Sequence, residues 1–150
     1  MQDEVRIAIA EDADLIRARA EGRALAERQG FSRTDATLIA TAISEVARNI
    51  VVHVGEGEIV LQPLDEGIRC GMLVVARDNG PGIRDVDAAS QGSANSPGLG
   101  LGLPGARRLM DEFELDSPPG RGTTVTMIKW RLRDELELLR ERRRRRERHG

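Results

Sequence analysis

The sequence predicts an α+β protein: a two-layer sandwich in which a mixed, mostly antiparallel sheet carries helices on one face. The predicted order is a strand, two helices, two strands, a glycine-rich stretch, a helix and two more strands. Short turns between consecutive strands favour antiparallel pairing. The second helix has an apolar stripe along one side, which suits packing against a sheet. At 150 residues the chain can bury a core of its own as one domain.

The first two elements follow from alternation and capping signals. Apolar and polar residues alternate over Val5–Ile9, which predicts a half-buried strand. Asp12 or Asp14 is then expected to cap a helix that runs to about Gln29. Gly30 occupies the position after the helix, where glycine is the usual residue.

The second helix begins after Ser32, with Asp35 at the position that completes a capping box. Its apolar stripe consists of Leu38, Ile39, Ala42, Ile43, Val46 and Ile50. Glu45 falls on the edge of this stripe and Asn49 falls inside it. An unpaired amide in a core costs about 1–3 kcal/mol, so Asn49 needs either a backbone partner or a ligand. The pattern alone leaves both interpretations open.

The remaining elements are read in the same way. They are strands over 58–64 and 69–77, a helix from 106 to 112 with Pro104 near its first turn, and strands over 113–117 and 123–130. The hairpin connection is expected at 65–67, and a proline- and glycine-rich turn spans 118–122.

Charge divides the chain into an acidic body and a basic end. Residues 131–150 contain nine Arg against five Asp and Glu, a net of +4, whereas residues 1–130 carry a net of −6. We therefore predict a domain over 1–130 and a charged, Arg-rich extension over 131–150. Leu132, Leu136 and Leu139 indicate a short amphipathic helix, after which 142–146 is expected to fray into solvent. An acidic body disfavours nucleic-acid binding, which needs a basic face.

Composition narrows the class further. The single cysteine, Cys70, cannot form an intrachain disulfide or a multi-cysteine metal site. Neither a signal-peptide pattern nor an apolar run of about 18 residues occurs, so we expect a cytoplasmic protein without a membrane segment.

Two glycine clusters mark the predicted functional site. Asp78-Asn79-Gly80-Pro81-Gly82 follows an apolar strand, and a second cluster over 98–105 precedes a helix. Glycine permits close approach of a ligand, and N–H groups at a helix start suit a phosphate. Two such clusters around a polar segment are typical of a nucleotide lid. The match of 100–105 to G-x-G-x-x-G lacks the strand that a dinucleotide fold requires, and no P-loop occurs.

Four segments in order carry a resemblance to a known family. They are Glu45-x-x-x-Asn49, Asp78-x-Gly80-x-Gly82, the glycines of 98–105, and Gly120-x-Gly122-Thr123-Thr124. Over about 32–130 the chain resembles the GHKL-type (Bergerat) ATP-binding fold of histidine kinases and of Hsp90-like and gyrase-like ATPases. The ordered set of segments is specific, although each segment alone is weak.

The resemblance implies a role for each segment. Asp78 would accept a hydrogen bond from the adenine amino group, Gly80 and Gly82 would let the base approach, and Thr123 or Thr124 would complete the pocket. Asn49 would offer its oxygen to Mg²⁺, and Glu45 would deprotonate or orient an attacking hydroxyl. The β- and γ-phosphates would lie against the backbone of Gly98, Gly100, Leu101, Gly102 and Gly105.

Within this superfamily the chain is most similar to the RsbT-like switch-protein serine/threonine kinases. The runs that carry this likeness are 43–50, 78–83, 98–105, 105–113 and the closing Lys129-Trp130. The resemblance implies transfer of the ATP γ-phosphate to a Ser or Thr of a STAS-domain partner, followed by a second complex with a phosphatase or other effector. Arg19 and Arg23 share a helix face and are either docking residues or a solvated face.

Two alternatives remain open. An anti-sigma factor kinase of the same fold would carry the same Glu45 and Asn49, and a nucleotide-gated binding module would need no catalytic residue. A histidine kinase is disfavoured because His53 and His149, the only histidines, are not on a phosphoacceptor hairpin. The segment 91–97 also differs from the lid sequence expected for the family.

Overall fold

The computed structural model of the protein describes residues 4–80 and 102–149. It confirms the predicted order of elements and the α+β class. The elements are β1 (Val5–Ile9), α1 (Asp12–Arg28), α2 (Arg33–His53), β2 (Gly57–Glu66), β3 (Arg69–Asp78), α3 (Gly102–Leu109), β4 (Glu112–Asp116), β5 (Thr123–Leu132) and α4 (Glu135–His149). The predicted site residues Gly82, Gly98, Gly100 and Leu101 lie outside the described residues.

The five strands form one sheet in the order β1-β2-β3-β5-β4. Every pairing among these described strands is antiparallel, so the sheet is more regular than the mixed sheet that the sequence predicted. Helices α1, α2 and α3 contribute buried side chains to a single aliphatic core shared with the sheet. The expected two-layer arrangement is therefore present.

Helix α2 is the centre of the helical layer. Ser32 caps it as predicted, because its hydroxyl accepts the backbone N–H of Asp35 at 3.1 Å. The fully buried side chains of its inner face include Ile39, Ile43 and Val46. Glu45 and Asn49 stand beside this buried stripe and are half-buried.

Three local predictions were wrong in detail. The N-cap of helix α1 is Glu11 rather than Asp12 or Asp14. Asp14 is the third residue of the helix, and its carboxylate accepts the backbone N–H of Glu11 at 3.1 Å. The hairpin turn falls at 67–68, since pairing of Glu66 with Arg69 extends both strands. Helix α3 ends at Leu109 instead of continuing to 112.

The early end of α3 has a cause in the sheet. The backbone N–H of Asp111 donates to the Ile128 carbonyl at 2.9 Å, and Glu112 pairs with the same residue in β4. The indole of Trp130 also donates to the Glu112 carboxylate. These long-range bonds draw the chain into a strand although its residues suit a helix.

The C-terminal segment is more ordered than expected. Strand β5 continues past Trp130 to Leu132, and α4 runs through 142–146, where fraying was predicted. Glutamates one turn away support these arginines: Arg143 pairs with Glu147 at 3.6 Å, and Arg145 with Glu141 at 3.8 Å. The division of the chain into 1–130 and 131–150 remains a prediction.

Two ion pairs fix the start of α4 to the body. The Arg133 guanidinium donates to the Asp65 carboxylate at 2.6 Å and lowers the pKa of that carboxyl. The Arg131 guanidinium donates to Glu137 at 2.5 and 3.0 Å and lowers the Glu137 pKa from 4.5 to about 2. The two carboxylates therefore favour the folded state where they are charged.

We expect the contribution of Glu137 to stability to disappear in acid. Because its pKa is lower in the folded state, the stabilisation is complete above pH 4.5 and is lost as the pH falls towards about 2. The melting temperature of Glu137→Gln should therefore lie below that of wild type at pH 6, and the difference should shrink steadily towards pH 2. Glu135→Gln, at an exposed position of the same helix, is the control. A difference that is constant with pH would contradict the assignment.

None of the helices in the described part of the chain has the length and apolar character needed to cross a membrane.

Candidate nucleotide and phosphotransfer site

The first part of the site is an acid-amide pair on α2. Glu45 and Asn49 lie one turn apart, and both are half-buried beside the core stripe. The Asn49 amide makes no hydrogen bond with any described residue, so the interpretation of a buried amide satisfied by the backbone finds no support. Its polar atoms remain available for a ligand.

Glu45 is joined to the glycine cluster. Its carboxylate accepts the backbone N–H of Gly102, the first residue of α3, at 2.8 Å. Gly102 has a φ of +65°, a left-handed conformation that favours glycine. Helix α3 is held against α2 because Leu103 and Ala106 are buried in the common core. The predicted general base and the predicted phosphate cradle are therefore in direct contact, and Gly105 is buried within the same helix.

Asp78 ends β3, where the chain leaves the sheet. One of its carboxylate oxygens accepts the N–H of Gly80 at 3.0 Å, which shapes the turn. Its backbone pairs with Gly57 on one side and with Thr123 on the other. The second carboxylate oxygen forms no hydrogen bond with a described residue, so it can accept one from a ligand.

The sheet register separates the two candidate threonines. Thr123 pairs with Asp78 and is buried, and its hydroxyl lies 2.8 Å from the Ser117 hydroxyl. Thr124 pairs with Arg77, so its side chain points to the opposite face of the sheet. Of the two threonines, only Thr123 is on the same face as Asp78.

Two residues next to Asp78 and Thr123 were not recognised as site residues from the sequence. Gly122 has a φ of +82°, and a side chain there would overlap the Asp78 carbonyl. Only glycine therefore lets the start of β5 lie against the end of β3. Ser117 was predicted to end a strand; it follows β4, and its side chain is buried beside Thr123. The G-x-G-T-T pattern signals Gly122, whereas no sequence signal identifies Ser117.

A cavity of about 660 Å³ opens beside Asp78. Asp78, Asn79 and Gly80 line one side of it, and the others are lined by the end of β1, the end of α2 and the start of β2, including His53 and Glu58. Glu45, Asn49 and Thr123 do not line it. The cavity thus touches the Asp78 end of the predicted site, and the Glu45 end is formed separately between α2 and α3.

The docking candidates on α1 differ from each other. Arg23 donates to the Thr37 hydroxyl at 2.7 Å and ties α1 to α2. Arg19 is exposed one turn earlier. A structural role therefore accounts for Arg23, and Arg19 is the one left facing solvent.

The residues of the site fit a Mg²⁺ ion that has few protein ligands. The described residues contain no group of three or more His, Cys, Asp and Glu side chains that could hold a metal. A Mg²⁺ ion here would therefore be held mainly by nucleotide phosphates and water, with few protein oxygens, which is usual for this ion. The accessible Asn49 amide suits that limited role.

The chain is similar to known proteins over most of its length. Residues 8–129 match the histidine kinase-like ATPase domain. The chain is 43% identical over 131 residues to the serine/threonine-protein kinase RsbT of Bacillus subtilis strain 168, covering 87% of this chain and 98% of that protein. It is 33% identical over 97 residues to an anti-sigma F factor of Caldanaerobacter subterraneus, covering 61% of this chain and 68% of that protein.

One solved structure extends the comparison to the fold. The RsbU and RsbW domains of Rv1364c from Mycobacterium tuberculosis align with a TM-score of 0.56 at 24% identity, over 87% of this chain and 33% of that chain. At this identity the likeness concerns the fold alone. The match over 8–129 and the identity to RsbT show the family: the chain belongs to the histidine kinase-like ATPase family, among its RsbT-like serine/threonine-protein kinases.

Proposed function

We propose that this protein transfers the γ-phosphate of ATP to a serine or threonine of a STAS-domain antagonist, as one step of a partner-switching stress pathway. The observation that carries the proposal is the 2.8 Å bond between the Glu45 carboxylate and the first N–H of α3. It brings an acid that can take a proton to the helix start that suits the phosphates. The 43% identity to RsbT supports the same reaction class.

The base of the nucleotide would bind at the end of β3. The free oxygen of Asp78 accepts a hydrogen bond from the adenine amino group, and Gly80 keeps the turn open to the ring. Because Thr123 shares the face of Asp78, we assign the neighbouring polar contact to Thr123 and not to Thr124. Gly82 belongs to the same turn by sequence.

The phosphates would lie at the start of α3. The N–H groups of Gly98, Gly100 and Leu101, which precede α3 in the sequence, would carry partial positive charge that offsets phosphate charge, while the Gly102 N–H stays bonded to Glu45. Gly105 has no side chain, so α3 would approach the phosphates closely. Mg²⁺, held by the phosphates and Asn49, would neutralise charge on the transferred group.

Glu45 would act as the general base. The acceptor hydroxyl loses its proton to the free oxygen of Glu45 as its own oxygen bonds to the γ-phosphorus. The bond between that phosphorus and the β–γ bridging oxygen breaks, and ADP leaves with the electron pair. The other Glu45 oxygen stays bonded to Gly102 and holds the carboxylate in position.

A second candidate has its own support. The 33% identity to an anti-sigma F factor favours a kinase that also sequesters a sigma factor, although the match covers only 61% of this chain. A nucleotide-gated module without transfer is less well supported, because the 43% identity is to a serine/threonine-protein kinase.

The test is a transfer assay with radiolabelled ATP, purified STAS-domain proteins of the same organism and, in parallel, a sigma factor binding assay. Rapid labelling of one STAS protein on Ser or Thr without sigma capture is the expected result. Nucleotide-dependent sigma capture would establish the second candidate instead. ATP binding without labelling or capture would overturn both.

A further inference from the structure

Helix α4 is a fixed surface of the protein and lies outside the family match. The match ends at residue 129, whereas α4 begins at Glu135. Its first turns are held by the pair of Arg131 with Glu137, and the segment just before it is held by the pair of Arg133 with Asp65. The ATP site uses none of these residues. The helix is anchored although the proposed reaction does not need it, so its surface can serve another function.

The outer side of α4 begins with an apolar corner. Of the six large apolar side chains that are exposed in the described residues, four lie in the β2–β3 turn, at the end of β5 and in the first turns of α4, which together are called the apolar corner: Ile68 at 67%, Leu132 at 74%, Leu136 at 55% and Leu139 at 59% exposure. The Ile68 carbonyl accepts the Arg133 N–H at 2.9 Å, which brings the β2–β3 turn beside the end of β5. Exposed apolar side chains that occur together in one region can mark an interaction surface, whereas single exposed leucines are common.

Arginines continue the same side of the helix. With about 100° per residue, the body-facing Glu137 and Glu141 lie near 0° and roughly 40°. On this scale Leu136, Leu139, Arg143 and Arg146 fall between roughly 180° and 260°, on the far side. Arg140, Arg142 and Arg146 form no ion pair with any described residue, although Arg143 pairs with Glu147. The far side is therefore apolar at its start and basic along the rest.

This pattern selects one class of ligand. A membrane-surface helix needs an apolar face along its whole length, and here arginine replaces leucine after the second turn. A nucleic-acid surface has no use for the leucines, and the corner has no stacking aromatic apart from Trp130, which already contacts Arg69. An acidic amphipathic helix matches both the apolar and the basic part of this side. Its leucines would cover the apolar corner, and its carboxylates would bind the guanidinium groups of the arginines.

We propose that the outer side of α4, with Ile68 and Leu132, is a docking surface for an acidic amphipathic helix of a protein partner. The net negative charge of residues 1–130 disfavours binding of an acidic segment to the body, whereas the basic helix attracts it. The proposal does not depend on the ATP site.

A defined peptide tests the proposal. The probe is a fluorescent, helix-forming peptide of about 20 residues with leucine at every third or fourth position and glutamate elsewhere. Binding to the full-length protein is measured by anisotropy at two salt concentrations. We expect saturable, salt-sensitive binding that Leu139→Gln and Arg146→Gln each weaken by about fivefold or more. Both positions are exposed, so the melting temperature and ATP affinity should not change.

Matched controls distinguish docking at this surface from non-specific binding. Ile16→Gln and Arg17→Gln change residues that are also exposed, but on α1, and should leave peptide binding unchanged. A peptide with its leucines replaced by glutamine should bind far more weakly. Equal binding of that peptide, or no effect of Leu139→Gln, would overturn the proposal. So would tighter binding of polyuridine RNA or of phosphatidylglycerol vesicles than of the peptide.

Discussion

Glu45→Gln is expected to slow phosphotransfer by roughly two to four orders of magnitude, the usual contribution of a general base. Glutamine cannot take the hydroxyl proton, but its amide oxygen can still accept the Gly102 N–H that Glu45 accepts at 2.8 Å. ATP affinity and melting temperature should therefore stay close to wild type. Single-turnover transfer to the STAS-domain partner, with ATP binding by calorimetry, measures both quantities.

Glu45→Ala provides the matched comparison. It removes the base and also leaves the Gly102 N–H without its acceptor, which we expect to loosen the start of α3 and weaken ATP binding. Glu27→Gln, on the exposed side of α1, controls for the loss of one negative charge. If Glu45→Gln transfers phosphate as fast as wild type, Glu45 serves only to hold α3.

Asp78→Asn is expected to weaken ATP binding by about 2 kcal/mol, roughly 30-fold in Kd, the value of a hydrogen bond to a charged group. Asparagine can keep the bond that Asp78 accepts from Gly80 at 3.0 Å, so the turn should survive. Its NH₂ group then faces the adenine amino group, and two donors cannot bond. Titration with a fluorescent ATP analogue measures the change.

The base specificity gives a second readout of the same variant. The carbonyl of guanine can accept a hydrogen bond from the asparagine NH₂, so the preference for ATP over GTP should shrink in Asp78→Asn. Asp116→Asn, an exposed change at the same end of the sheet, should alter neither affinity nor preference. An unchanged ATP-to-GTP ratio in Asp78→Asn would place the base elsewhere.

Local patterns account for most of what could be predicted. The alternation over Val5–Ile9 and the apolar stripe of α2 are consequences of strand and helix periods, so they are visible in sequence. The same holds for Glu45 and Asn49, since residues four apart in a helix share a face. The end of α3 and the start of β4 could not be found this way, because bonds to Ile128 decide them.

The sequence by itself determined the elements, their order, the acidic body with its basic end, and the ordered motifs of an ATP-binding family. Only the tertiary structure decided which residues of distant elements lie next to each other. The register puts Thr123 and not Thr124 beside Asp78, and the packing of α3 on α2 joins Glu45 to Gly102 across 57 positions. It also turns the expected frayed end into an anchored helix, through ion pairs of Arg133 and Arg145 with Asp65 near the end of β2. Helix and strand periods are local, whereas register and packing depend on contacts between distant residues.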